Sequence, residues 1–277
     1  MGIKHIYSIE NNYWQTGSVK NISGEDTLAL TGVRKQTVKG FGGCFNEIAW
    51  DVLQKVSEED RTAFLDELFC EEHSNFTMGR VPIGANDFSL EWYSCDEVDG
   101  DYDLQHFTID RDKKYTIPYI KEAMQRQPEL TLFASPWSPP TWMKTKKAYN
   151  YGTLRMEDKV LEAYARYFVK FVQAYKEEGL LVEQVHIQNE PMADQKFPSC
   201  LWTGEQMRDF IKNYLGPAFE KSGMDTEIWL GTINGPFVDF MMNMGAPFGE
   251  YYDQFENTIL CDKEARKYIT GLGYQWG

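Results

Sequence analysis

Short apolar runs rich in β-formers alternate with longer amphipathic stretches along most of this chain, and that order leaves few folds open. Strands that succeed one another through helical crossovers pair in parallel and need a layer of helices over the sheet. The runs TVKGFGGCF (37 to 45), FTMGRVPIGA (76 to 85), LTLFASPW (130 to 137), VEQVHIQNE (182 to 190), EIWLGTIN (227 to 234) and YITGLGYQW (268 to 276) are six strand candidates. Between them, Ser57 followed by Asp60 predicts the capped start of a helix carrying Phe64, Leu65, Leu68 and Phe69. Leu161, Tyr164, Phe168, Phe171, Val172 and Tyr175 share one face of another helix that ends before Gly179, and these aromatics are expected in the core without a binding role. Six βα units exceed a small flavodoxin-like sheet and fall two short of a (β/α)8 TIM barrel. The expected fold class is therefore α/β with a parallel sheet, preceded by a polar, turn-rich segment to about residue 37.

The length and the 42% hydrophobic content suffice for one large domain with a sizeable core. A formal net charge of −14 repels a phosphate backbone, so nucleic acid is not expected as a partner. The five cysteines, Cys44, Cys70, Cys95, Cys200 and Cys261, are odd in number, widely spaced and without a C-x-x-C pair; they read as reduced, mostly structural thiols. The start MGIKHIYSIENNYW has no apolar signal region and no run of about 18 apolar residues occurs, which predicts a cytoplasmic protein with no stable membrane association.

In VEQVHIQNEPMADQ the apolar positions Val182, Val185 and Ile187 read as a strand, and Pro191 removes a backbone donor, so the strand is predicted to stop at Glu190. A carboxylate at a strand's C-terminal tip is a catalytic address in barrel enzymes, although a polar residue reversing the chain would look the same. The other predicted tips carry Asn46 and Glu47, Asn86 and Asp87, Trp137, Asn189, Asn234 and Trp276. Amides and carboxylates satisfy sugar hydroxyls in fixed directions, and indoles cover the apolar face of a pyranose, so the set suggests a sugar site. Loops collect polar residues in many proteins, and tip chemistry alone does not decide the matter.

The segments GFGGCFNE (40 to 47), RVPIGANDFS (80 to 89), ASPWSPPTWMK (134 to 144), HIQNEP (186 to 191) and GLGYQW (271 to 276) resemble, in order and spacing, glycoside hydrolase family 30, the glucosylceramidase-like family. The resemblance implies a retaining β-glycosidase on an α/β (β/α)8 TIM barrel, here incomplete with six of eight βα units over 38–277, and an N-terminal β segment over 1–37 belonging to a side β-sandwich. Carried over position by position, it implies Glu190 as general acid/base and Asn189 as the partner of the sugar's 2-hydroxyl. Asp87 would hold more distant hydroxyls, Trp137 would line the same subsite, and Arg80 would support the neighbourhood of Glu190 from behind. Tyr274 and Trp276 would border the sugar, although the family often has His-Trp-Tyr where this chain reads Tyr274, Gln275, Trp276. The implied substrate is a β-linked carbohydrate, a β-glucoside first, with β-1,6-glucan, β-xylosides and β-fucosides as alternatives. Sphingolipid metabolism is implied by the family name only; a cytoplasmic chain is expected to meet short glycosides more readily than a membrane lipid.

A retaining glycosidase needs two carboxyl groups about 5 to 5.5 Å apart, one of which attacks the anomeric carbon. The acid must hold a proton at working pH, which a water-poor rim and the second carboxylate favour. The family's nucleophile is a Glu at the end of strand seven. Glu205, Glu220, Glu227, Glu250, Glu256 and Glu264, with Asp239 and Asp253, occupy no predicted tip, so the nucleophile is expected to be absent from this chain and the chain to be part of a longer protein. The missing C-terminal part is then a candidate partner. Little hydrolysis and poor solubility are expected of these residues alone; sugar binding without turnover, or one half of a split enzyme, are the alternatives.

Other motifs imply no cofactor. GFGG lacks the Lys-Ser/Thr of a phosphate loop and reads as tight-turn glycines. His5, His73, His106 and His186 are scattered, and His186, placed four residues before Glu190 on the same strand, reads as a core histidine rather than a metal ligand. Asp96, Glu97, Asp99, Asp101 and Asp103 lack the spacing of a calcium loop and read as a solvated loop bordering the groove.

Overall fold

A computed structural model describes residues 4–20, 24, 31–234 and 252–275, with the backbone alone at 252–253. The chain divides into two compact units, Met1–Lys39 and Gly40–Gly277. In the first, β1 (His5–Ile9) and β2 (Asn12–Gly17) form an antiparallel hairpin that turns through Asn11 at φ 60°. Asparagine tolerates that left-handed backbone better than most residues.

The second unit is a six-stranded parallel sheet in the order β3-β4-β5-β6-β7-β8. Its strands are β3 (Gly42–Cys44), β4 (Met78–Pro82), β5 (Thr131–Ser135), β6 (Val182–His186), β7 (Glu227–Asn234) and β8 (Ile269–Gln275). Sequential order with every neighbour parallel is the topology of a TIM barrel missing its last two units. The helices are α1 (Glu47–Leu53), α2 (Glu58–Phe69), α3 (Asp110–Lys114), α4 (Thr116–Arg126), α5 (Asp158–Glu177), α6 (Gly204–Phe210), α7 (Gly216–Ser222), α8 (Tyr252–Leu260) and α9 (Lys263–Arg266). All six sequence-predicted strands are present. Ser57 caps α2 by accepting the Asp60 N–H at 3.0 Å, and α5 ends at Gly179 with φ 81°, where a left-handed residue releases the helix. Tyr164, Tyr167, Phe168, Phe171 and Tyr175 of α5 are fully buried and join the strands' apolar residues in one core.

Several expectations are corrected. The fourth strand ends at His186 rather than Glu190, so His186 and Glu190 do not share a strand face. Phe64 of α2 is 47% exposed and belongs to no core stripe. Gly42 of GFGG serves close strand approach instead of a tight turn: a Cβ there would meet the carbonyl of Met78, its partner across the β3–β4 ladder. The acidic loop is not solvated throughout. Asp96 is only 2% exposed, and Asp101 accepts the His106 backbone N–H at 2.8 Å. Burial pushes the Asp96 carboxyl up to about 6. Glu97 accepts from Thr141 N and Oγ1, and the Trp142 indole N–H donates to the Asp96 carbonyl, so this loop is clamped onto the segment that leaves β5.

Candidate active site

Beyond β6 the backbone leaves the ladder but not its neighbours. The N–H groups of Gln188, Asn189 and Glu190 donate in turn to Gly231 O (3.0 Å), Pro136 O (2.8 Å) and Thr232 O (2.9 Å). Three consecutive residues are thereby tied alternately to the segments on either side of β6. Glu190 is held at φ 47°, a region that costs a non-glycine residue roughly 1–3 kcal/mol. The alternating tethers stabilise that conformation, and Glu190 is left 5% exposed at the C-terminal end of the sheet.

Arg80 organises the floor beneath it. From β4 its Nε donates to Ser135 Oγ and its Nη2 to Asn189 Oδ1, each at 2.8 Å, while its guanidinium lies 4.1 Å from the Trp137 ring centroid. Arginine only donates, so the Asn189 oxygen must face it. That fixes the amide orientation of Asn189 and turns its NH2 end away from Arg80. Thr232 accepts from Arg80 Nη2 at 3.3 Å and donates to Gln275 Oε1 at 2.8 Å, so the departure from the family pattern at Gln275 supplies an acceptor of its own. Gln188, fully buried, donates to the Trp137 carbonyl at 2.7 Å and accepts from the Trp202 indole at 3.3 Å.

The structure brings Glu190, Asn189, Arg80 and Trp137 into one cluster. Trp137 is only 5% exposed, with the Arg80 guanidinium over one face of its ring. Asp87 is exposed where the chain leaves β4; desolvation raises its carboxyl above the ordinary value against the pull of its own backbone N–H and of Arg80. Tyr274 is 52% exposed on β8, and Trp276 lies outside the described residues. Three other predicted tip residues serve the fold. Asn46 caps α1 through the Ala49 N–H, Glu47 forms a buried ion pair with Arg111, and Asn86 accepts the Phe88 N–H and the Ser89 hydroxyl. Asn234 ends β7 and is buried.

Sequence reasoning missed Ser135, Thr232, Gln188 and Gln195, whose amide donates to Glu190 Oε2 at 3.3 Å. Ser135 lies within ASPWSPPTWMK, and a period-two reading of β5 places it on the same face as Phe133, whose parallel partner is Arg80; either could have pointed to it. Buried His186 is stacked against Trp229 and tilted against Phe133. Burial first and the Arg80 charge second push its protonation down to about 3. Among the described residues no group of three or more His, Cys, Asp or Glu side chains is placed to hold a metal ion.

The model of the glycosyl hydrolase family 30 TIM-barrel domain matches residues 38–277. Putative glucosylceramidase 3 of Caenorhabditis elegans is 36% identical over 265 residues, covering 93% of this chain and 48% of that protein. An endo-1,6-beta-D-glucanase of Neurospora crassa is 35% identical, over 71% of this chain and 42% of its own length. Among solved structures, SrfJ from Salmonella typhimurium superposes with a TM-score of 0.75 at 31% identity, covering 87% of this chain and 51% of SrfJ. The chain thus spans about half the length of the relatives it matches.

Proposed function

Because the chain belongs to glycosyl hydrolase family 30, we propose that it carries the acid/base half of a retaining β-glycosidase site, with Glu190 as proton donor. The observation that carries this reading is the backbone of Glu190. A carboxylate-bearing residue at positive φ, held there by bonds from three successive N–H groups, is the kind of backbone that clusters at functional sites. In this reading Asn189, its oxygen locked by Arg80, donates to the sugar's 2-hydroxyl, Asp87 takes hydroxyls further from the anomeric carbon, and Trp137, Tyr274 and Trp276 border the ring. The substrate is a β-glucoside: the names of the glucosylceramidase and 1,6-glucanase relatives share glucose and differ in what it is attached to.

The acid step follows from bond making and breaking. Glu190 gives its proton to the glycosidic oxygen as the C–O bond breaks, a second carboxylate bonds to the anomeric carbon, and Glu190 then takes a proton from the water that hydrolyses the glycosyl ester. Among the described residues no Asp or Glu later than Glu190 stands at a strand's C-terminal end, so the reading assigns the attacking carboxylate to a residue other than these. The same observation favours a second reading for the 277-residue polypeptide alone, sugar binding without turnover.

Kinetics of Glu190→Gln in the natural polypeptide test the first reading. Alkyl β-glucosides need the acid and should lose roughly 10²-fold or more in kcat/KM. Dinitrophenyl β-glucoside does not need it, and should give a burst of phenolate followed by slow turnover, because the base that activates water is gone. Equal loss on both substrates without a burst overturns the assignment; saturable glucoside binding by the unaltered 277-residue polypeptide with no hydrolysis of either substrate supports the second reading.

A further inference from the structure

Ser199 is one of the residues by which the segment that follows Glu190 is stitched to the loop after β5. Its hydroxyl accepts the N–H groups of Gln195 (3.1 Å) and Tyr151 (3.0 Å) and donates to the Gln195 carbonyl at 3.2 Å, so its one donor and two acceptor positions are all occupied. Its backbone N–H donates to the Tyr149 carbonyl at 3.0 Å. The buried ammonium of Lys144 closes the stitch by donating to the carbonyls of both Ser199 (2.6 Å) and Tyr149 (2.8 Å). Across the same seam Gly152 N donates to Asp194 Oδ1 at 3.1 Å. What this fastening presents is the side chain of Gln195, whose amide N–H reaches Glu190 Oε2.

We infer that Gln195 is a positioning residue for Glu190, held in place by Ser199 and Lys144; the inference rests on Glu190 being the acid/base. A donor on Oε2 favours that oxygen as the acceptor of the carboxyl group and Oε1 as the carrier of the proton. Without the donor this hold on the carboxyl group is lost, and the preference for one oxygen weakens, because the terminal torsion has a broad and nearly two-fold profile. The acid-catalysed step, which depends on a carboxylic O–H aimed at the leaving oxygen, then suffers while sugar binding does not.

Gln195→Met keeps the length of the side chain and removes the donor. In the natural polypeptide it should lower kcat/KM about tenfold for alkyl β-glucosides, the effect of one lost hydrogen bond to a charged group, and leave release of dinitrophenolate in the burst and the inhibition constant of glucose within about twofold. Ser199→Ala, which loosens the seam and leaves Gln195 intact, should show the same split to a smaller degree. A readout independent of turnover is the 13C signal of the Glu190 carboxyl, assigned by its disappearance in Glu190→Gln: it should move in Gln195→Met. An unmoved signal, or an equal loss on both substrates, overturns the inference. If Glu190→Gln shows the leaving-group split and Gln195→Met does not, the inference fails and the acid/base reading stands; if Glu190→Gln shows none, that reading fails and takes the inference with it.

Discussion

At the scale of single residues, His186 gives the sharpest expectation. It is buried between Phe133 and Trp229, with ring centroids 4.8 and 5.5 Å away, and its protonation is pushed from an unfolded value of about 6.5 down to about 3. The unfolded chain therefore binds a proton that the folded chain refuses throughout that window. Its contribution to stability is complete above about pH 6.5 and is lost as pH falls toward 3. Asp96 and Asp112, both raised to about 6 by burial, act in the opposite sense: their contributions are complete below the unfolded value of about 3.8 and lost as pH rises through 6. A difference measurement separates them. The folding constant of the unaltered protein relative to His186→Phe should fall by about tenfold per pH unit across the middle of the window, read from urea midpoints at several pH values. Parallel pH profiles would mean that the ring takes up its proton in the fold as readily as in the unfolded chain. The sequence shows why such residues differ in legibility. Arg80, Asn189 and Glu190 sit in the short motifs that carry the family resemblance, and so does Ser135, to which no role was read; Thr232 lies in no such motif, and its bond to Arg80 spans 152 residues.

At the scale of elements, the strands were legible where the apolar pattern and the ladder end together. For β7 they do, and EIWLGTIN is the strand itself. For β6 they do not: Gln188 to Glu190 remain buried as a strand would be, yet their N–H groups change partners between β7 and the exit of β5, and burial pattern carries no record of which neighbour accepts a bond. The π turn at Ile211–Leu215 between α6 and α7 left no mark for a similar reason, as its residues keep helical periodicity. The glycine-rich β3 misled in another way, because glycine in a strand and glycine in a turn look alike until the neighbouring backbone is known. The two readings make different predictions. If β3 needs close approach, Gly42→Ala drives a Cβ into the Met78 carbonyl and should cost roughly 1–3 kcal/mol in denaturant unfolding. Gly43→Ala meets only the Phe76 ring at 3.9 Å and should be near neutral. Equal effects of the two substitutions would restore the turn reading.

At the scale of the whole molecule, two opposing terms act on the polypeptide of 277 residues. Among the described residues the sheet ends on β3 and β8, each paired on one side, so both outer edges carry unsatisfied ladder groups. Apolar side chains lie in the open beside them: Phe41 is 71% exposed and Tyr274 52% exposed, and Met78 and Phe133 line a groove with Gly42, Cys44 and Arg80. Edges and apolar faces of this kind favour strand pairing between copies. Against that stands the formal net charge of −14, which makes any two copies repel over a distance set by the ionic strength. The Debye length falls from about 30 Å at 0.01 M salt to about 3 Å at 1 M, while backbone pairing and apolar burial are hardly screened. Salt should therefore shift the balance toward association. Light scattering on the purified polypeptide should show a mass near that of one chain, 32.2 kDa, at low ionic strength, and a rising weight-average mass as sodium chloride is added. A mass independent of salt would mean that the edges are covered within one chain. A mass that falls with salt would mean that ion pairs rather than edges join the copies, and complementation through the open sheet would lose its physical basis.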